Sequence, residues 1–203
     1  MTKIDNEFVF RIATEEWEFE QIHRLNYRTF VEEIPQHAPN SDGRLVDRFH
    51  AENSYLGCFL GRRLVGMLAM RKQRPFSLDA KVPKLDQFLP AGYTPIEVRL
   101  LAVEPEFRKT NVFTTLLEQC VKHCISAGYD VAVLSATTRQ LRLYRHMGCK
   151  AFGPLVGTEQ AAYQPMYLTL DDFGHQVEQS AALRTAFAEV TEEQLEQNFL
   201  PGP

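Results

Sequence analysis

The chain has 203 residues, 44% apolar and 24% charged, the profile of an ordinary globular protein with one core, or one domain and an appendage. Its 22 lysines and arginines face 26 aspartates and glutamates, a net charge of −4, so no global basic field exists and nucleic-acid binding is not indicated. No apolar run approaches the roughly 20 residues of a membrane span, and Met1-Thr-Lys-Ile-Asp lacks a signal peptide's apolar segment, so a cytoplasmic location is expected.

Phe8–Ala13 alternates as a half-buried strand does, and Thr14 followed by Glu15-Glu16 reads as an N-cap with acidic residues in the first turn. The helix is expected to run through Ile22, Leu25 and Phe30 to Ile34, where Pro35 stops it. Residues 35–53 are polar, with Asn40-Ser41-Asp42-Gly43 reading as a turn and a short helical piece expected near Leu45, Val46 and Phe49. Tyr55–Leu60 and Leu64–Arg71 form a hairpin about Gly61-Arg62-Arg63. Residues 74–95, with four prolines, are either a lid over a site or a surface insertion with a short helix at Lys84–Phe88. Lys81 and Lys84 in it suit an anionic partner or plain solvation.

Strand alternation over Ile96–Val103 puts Ile96, Val98, Leu100 and Ala102 on one face and Glu97, Arg99, Leu101 and Val103 on the other. A carboxylate on a mostly apolar strand needs a partner or a use, so Glu97 is either an ion pair of Arg99 or a general base. The loop from Val103 to Asn111 then precedes a helix whose stripe is Phe113, Leu116, Leu117, Cys120 and Val121. Unpaired N–H groups and the helix dipole make such a loop an anion site, with Arg108 and Lys109 adding charge.

A strand at VAVLSAT and a short helix at LYRHMG follow. Ser135 is a poor nucleophile candidate, since no glycine elbow surrounds it. Cys149–Phe152 and Met166–Leu170 suit closing strands. Residues 1–170 then read as one domain and 171–203 as a helical extension or linker, with a capping box at Thr191-Glu192-Glu193-Gln194. None of the cysteines, Cys58, Cys120, Cys124 and Cys149, forms a CxxC pair; His123 points off the face of Cys120 and Cys124, so buried reduced thiols and no metal site are expected.

LLAVEPEFRKTNVF, a helix, a strand and then LYRHMG together resemble the core of the GNAT (GCN5-related N-acetyltransferase) superfamily. The resemblance implies an α/β fold: a twisted mixed sheet of six to seven strands flanked by helices, splayed between the fourth and fifth strands to admit an acyl-CoA. It further implies that pantetheine runs along Leu101, Ala102 and Val103, and that pyrophosphate sits on Arg108, Lys109, Thr110, Asn111, Val112, Phe113 and Thr114. Asn111 and Phe113 replace the family's loop glycines, Asn111 being able to adopt a left-handed backbone, and Thr137 replaces an expected asparagine. Tyr144 matches the family tyrosine that protonates the leaving thiolate, and Glu97 is the matching candidate base, possible through water.

The segments YRTFVEE and DRF, then IEVRLLAV, also resemble acyl-homoserine-lactone synthases and long-chain N-acyl amino acid synthases, with Arg99 displaced by one from their E-x-x-R pattern. That branch implies Phe30, Glu33, Asp47 and Arg99 at the acceptor mouth and acyl carrier protein as an alternative donor. The expected activity is transfer of an acyl group from acetyl-CoA or a longer acyl-CoA to a small-molecule amine by direct attack. A non-catalytic module binding an acyl ligand or a partner is the alternative, motivated by the missing glycines. The terminal LPGP resembles the entry segment of class V pyridoxal-phosphate aminotransferases, which would make the chain the leading piece of a longer fusion. Acceptor and oligomeric state are left open by the sequence, loops 35–53 and 74–95 being the expected acceptor determinants.

Overall fold

The computed structural model describes residues 7–186; the capping box at 191–194 and the terminal LPGP lie outside them. Seven strands form one sheet in the order β1-β2-β3-β4-β5-β7-β6. They are β1 (Phe8–Ile12), β2 (Asn53–Leu60), β3 (Arg63–Arg71), β4 (Pro95–Val103), β5 (Val131–Thr137), β6 (Lys150–Ala151) and β7 (Tyr163–Thr169). Every neighbouring pair is antiparallel except β4 and β5, which run parallel. The helices are α1 (Glu16–Tyr27), α2 (Val112–Ser126), α3 (Leu141–His146), α4 (Leu170–Gln179) and α5 (Ala181–Ala186). This is the mixed, helix-flanked GNAT-like sheet expected from the sequence. No described helix is long and apolar enough to cross a membrane.

The β4–β5 ladder is short. Pro95, Ile96 and Glu97 pair with Val131, Ala132 and Val133, and beyond them the strands part. Two residues of β4, Leu100 and Leu101, oppose the single Leu68 of β3 in a β-bulge, and Leu100 takes a left-handed backbone at φ 55°. The bulge corrects the simple alternation: Ile96, Val98, Leu101 and Val103 pack toward α2, while Leu100 and Ala102 pack toward α1.

α2 covers one face through Val112, Leu116, Cys120 and Cys124, and α3 and α4 extend that layer over β5 and β7 with Tyr144, Met147 and Phe173. All four cysteines are buried and reduced. On the other face α1 packs Ile22 and Leu25 on Tyr55, Phe59 and Met67. α1 begins one residue later than expected: Glu15 is its N-cap, and the Glu18 carboxylate accepts the Thr14 and Glu15 N–H groups at 2.7 and 3.0 Å. It ends at Tyr27 and continues as a turn of π-helix, Arg28–Glu33, in place of the α-helix expected to Ile34. The helical piece expected around 45–49 is instead a 3₁₀ turn at His50–Glu52.

The excursion between β3 and β4 is part of the core. Phe76, Leu78, Val82 and Leu85 are buried against Val133 and Phe152. Its anchor is Glu97, 1% exposed, whose carboxylate accepts the Ser77 N–H at 2.8 Å, the Ser77 hydroxyl at 2.5 Å and the Leu78 N–H at 3.3 Å. Arg99 reaches Glu97 only at 3.9 Å, its close partner being Asp47 at 2.9 Å. The ion pair foreseen between Glu97 and Arg99 is present but is the longer contact; the close partners of the carboxylate are the excursion's own donors at Ser77 and Leu78.

His23 of α1 is 5% exposed, with Nε2 at 3.4 Å from His50 Nδ1 and Nδ1 at 3.4 Å from an Arg44 guanidinium nitrogen. Burial, then the neighbouring His50 and Arg44, hold its pKa down at about 4. The unfolded chain therefore binds this proton more tightly than the folded one, and His23 contributes full stability above its unfolded value of 6.5. That contribution is lost as pH falls from there toward 4. Urea unfolding at pH 7 and pH 4.5 should show a loss larger by roughly 2–3 kcal/mol in the parent than in His23→Gln. Equal losses would remove His23 as the cause. At pH 7, Glu97→Gln turns an amide N–H₂ onto three donors and should lower unfolding stability by about 1–3 kcal/mol; an unchanged midpoint would mean the excursion docks without it.

Candidate active site

Where β4 and β5 part, a continuous cavity of about 1060 Å³ crosses the sheet. On the α1 side its wall includes Asn26, Phe30, His37, Asp47, Arg48, Ser77 and Lys81. In the opening it is lined by Arg99 through Val103 of β4 and by Leu134, Ser135 and Thr137 of β5. On the α2 side Phe113, Thr114, Leu117, Cys120, Val121 and Cys124 face it from α2, Leu168 from β7 and Phe173 from α4. The facing edges of β4 and β5 have lost each other as ladder partners there, so backbone donors and acceptors border the opening.

Of the residues singled out in the sequence, thirteen line this cavity: Phe30, Glu33, Asp47, Arg99, Leu101, Ala102, Val103, Arg108, Thr110, Phe113, Thr114, Thr137 and Tyr144. Glu97, Lys109, Asn111 and Val112 do not. Val112, the first residue of α2, is fully buried, and Asn111 is the α2 N-cap at φ −77°. Asn111 thus does not use the left-handed conformation invoked to excuse a lost glycine. Phe113 packs on the α2-side core and lines the cavity at once, with helical backbone that needs no glycine.

Charges on the wall are largely paired. Arg108 holds Glu33 through two guanidinium nitrogens at 2.7 and 2.5 Å and donates its Nε–H to the Val103 carbonyl at 2.9 Å. The Glu33 hydrogen bond, against burial, raises its proton affinity further. The expected phosphate cation is thus engaged. Asp47 accepts from Arg99, the Phe49 N–H and the Asn53 amide at 2.9, 2.9 and 3.0 Å. Among the described residues Arg48 and Lys81 form no ion pair, and the Arg48 guanidinium lies over the Phe49 ring at 4.4 Å. Asn26 Oδ1 is a buried acceptor without a partner among these residues.

Tyr144, 8% exposed, packs with Leu134, Ala136 and Cys149. Burial and then Cys149 push its pKa up to about 12, so the phenol stays protonated throughout the neutral range. Thr137 ends β5, its hydroxyl 3.3 Å from the Gln140 side-chain oxygen. Sequence reasoning passed over Asn26, Arg48, Cys124 and Phe173. The α2 stripe looks like core packing at helical spacing, and nothing in that spacing marks which of its residues also line the cavity.

The family model described as N-acyl amino acid synthase FeeM matches residues 21–171. No curated protein sequence matches the chain. Among solved structures, a CoA-dependent acyl-homoserine lactone synthase, BjaI, with SAM and isopentyl-CoA, is 20% identical with a TM-score of 0.69, covering 85% of this chain and 89% of that one. FeeM, an N-acyl amino acid synthase from uncultured soil microbes, is 18% identical with a TM-score of 0.67, covering 88% and 98%. Escherichia coli ElaA is 14% identical with a TM-score of 0.55, covering 79% and 97%. The structural likenesses establish the fold. The family match establishes more: this chain belongs to the FeeM N-acyl amino acid synthase family, acyltransferase enzymes on a GNAT-like fold.

Proposed function

We propose that the enzyme transfers an acyl group from an acyl thioester to the α-amino group of an amino acid. One observation carries this reading: a single cavity joins a cation-bearing mouth on the α1 side to an apolar arm along α2, and the joint is the opening between β4 and β5. The mouth suits an amino acid. Arg48 and Lys81 are the wall cations left over for a carboxylate, and Asn26 Oδ1 is an acceptor for the amine N–H. The arm suits the acyl chain, leaving the thioester carbonyl in the opening beside Leu101–Val103.

The amine enters as the free base, its proton lost to solvent at the mouth, because Glu33 and Asp47 are held in ion pairs and Glu97 lies off the cavity. Its nitrogen attacks the carbonyl carbon, an N–C bond forms, and the C–S bond breaks. Backbone N–H groups bordering the opening stabilise the developing oxyanion. Tyr144, at about 12, lies well above a thiol near ~8.5, so handing over its proton would run uphill by about 5 kcal/mol. It therefore acts as a neutral hydrogen-bond donor to the departing sulfur, and the thiolate takes its proton from the ammonium formed on attack.

For the donor, acyl-CoA is supported by the CoA-dependent synthases of the same fold. A carrier-protein donor is favoured by a different observation: Arg139, Arg142 and Arg145 recur every third residue at α3 in the α2-side layer, next to the cavity-lining Gln140 and Leu143, exposed and without ion pairs among the described residues, and Leu143 is 40% exposed. Thiol release measured with dodecanoyl-CoA and with dodecanoyl carrier protein distinguishes the two by kcat/KM.

Tyr144→Phe should lower kcat roughly 10- to 100-fold with KM for both substrates within about twofold, the loss of one hydrogen bond to a charged group. A variant as fast as the parent removes Tyr144 from the chemistry. Arg48→Ala and Lys81→Ala should each raise KM for tyrosine about tenfold and leave tyramine, which has no carboxylate, unchanged. Equal effects on the two amines would place the carboxylate elsewhere.

A further inference from the structure

A row of polar side chains leads away from Asp47, and the chemistry above makes no use of it. Asp47 lines the cavity with its side chain 9% exposed. All three of its donors, Arg99, the Phe49 N–H and the Asn53 amide, meet one oxygen, Oδ1. Oδ2 has no partner among the described residues, so it is the oxygen left for a ligand.

Counting hydrogens fixes the direction of every bond in the row. Asn53 Nδ2 donates to Asp47 Oδ1 at 3.0 Å and to Tyr55 Oη at 3.2 Å; with the amide turned over, an oxygen would face the carboxylate. Tyr55 is 1% exposed, and burial above all pushes its pKa up to about 12, so the phenol keeps its proton. His50 Nδ1, at 3.3 Å, is the acceptor for that proton among the described residues. Nδ1 is therefore the unprotonated nitrogen of His50. His23 fits the same order. Its Nδ1 is 3.4 Å from an Arg44 guanidinium nitrogen, which can only donate, so the proton of the neutral ring sits on Nε2 and points at His50 Nδ1 at 3.4 Å. One lone pair on His50 thus collects a donor from α1 and a donor from β2.

His23, His50, Asn53 and Tyr55 all lie outside the cavity. Phenyl rings at His50 and Tyr55 would pack there without desolvating polar atoms, so the polar row implies a use beyond packing. His50 also sits where it can act. It is wedged among the rings of Phe19, His23 and Tyr55 at 5.1, 4.7 and 5.6 Å, and its own N–H is held by the Asp47 carbonyl at 2.9 Å. Any displacement of His50 is passed to Asp47 through backbone and side chains together.

Resting on the acyl-transfer reading above, we infer that His50 is a positioning residue of the acceptor mouth: through Tyr55 Oη and the Asn53 amide, its Nδ1 holds Asp47 Oδ1 so that Oδ2 accepts an N–H of the acceptor's amine. Asn26 Oδ1 accepts the other N–H. With both hydrogens of the free base taken by fixed oxygens, the nitrogen lone pair is left for the thioester carbonyl.

Thiol release by the full chain with tyrosine and dodecanoyl-CoA tests this. Tyr55→Phe keeps the ring and removes the hydroxyl, and His50→Phe keeps a ring and removes Nδ1. Each should raise KM for tyrosine about five- to tenfold, with kcat and the donor KM within about twofold. His50→Asn, whose side-chain oxygen can stand in for Nδ1, should return KM to within about twofold of the parent. Added to Asp47→Asn, Tyr55→Phe should cost less than about twofold more, because the row acts through Asp47. A loss shared equally by kcat and the donor KM, one that His50→Asn does not restore, or one that persists in full beside Asp47→Asn overturns the inference. Should tyrosine accept an acyl group from no thioester, the functional reading falls, and carboxyl-carbon NMR of the aspartate-labelled chain still decides the row: an Asp47 resonance that Tyr55→Phe moves and His50→Asn leaves in place upholds the hold on Asp47, and one that Tyr55→Phe leaves unmoved overturns it.

Discussion

Three residue pairs hold β4 to β5, and the site exists because there are only three. Parallel strands paired along their whole length would close the sheet between the two helical layers. Here the ladder ends at Glu97 and Val133, and three residues later β4 bulges at Leu100. A left-handed leucine costs on the order of 1–2 kcal/mol; its side chain is held in the α1-side cluster, where packing offsets that cost. The bulge also reverses the faces of the last β4 residues, so Val103 supports α2 while Ala102 turns toward α1. α2 comes close because Gly66 lies under it: a Cβ there would stand 2.9 Å from a Val112 methyl. Helix, bulge and parted strands form one mechanical unit whose consequence is a cavity open on both faces.

Much of this was legible in the sequence, and the illegible part follows a pattern. Element order, strand identities near β4, and the strand–loop–helix at Val103–Thr114 come from hydrophobic period and turn residues, which are local. The bulge left no local mark, because Arg99-Leu100-Leu101 contains neither glycine nor proline to announce it. Facing assignments therefore failed after Arg99. The closest partners were illegible for a related reason: Glu97 reaches Arg99, two residues on, only at 3.9 Å, while its close partners are Ser77 and Leu78, and Arg99 is closer to Asp47, 52 residues away. Such pairings are set by which loops return to a strand, and sequence proximity carries little of that information.

The loop ahead of α2 shows how a motif can keep its shape and change its use. Its backbone is ordinary, with the helix N-cap at Asn111 and helical geometry from Val112 onward, so the absent glycines do not distort the fold. What has changed is the chemistry on offer. Arg108 is spent on Glu33 and on the Val103 carbonyl, and Lys109 lies off the cavity. Cations without ion pairs among the described residues also stand elsewhere: Arg48 and Lys81 on the α1 side, and Arg139, Arg142 and Arg145 at or just before α3 in the α2-side layer.

Magnitudes explain how such a donor site can work without a strong phosphate grip. A hydrogen bond to a charged group contributes roughly 1.5–3 kcal/mol, so losing two at the loop is a handicap of about 3–6 kcal/mol. Burial of alkyl chain returns about 0.8 kcal/mol per methylene, and an arm holding ten of them gains roughly 8 kcal/mol before ordering costs. In the acyl-transfer reading proposed above, such burial outweighs the missing anion contacts for donors whose chain lies along the apolar wall of the cavity. An acetyl group recovers almost none of that energy. In that reading, donor affinity rests less on the part that all acyl thioesters share than on the part that distinguishes them.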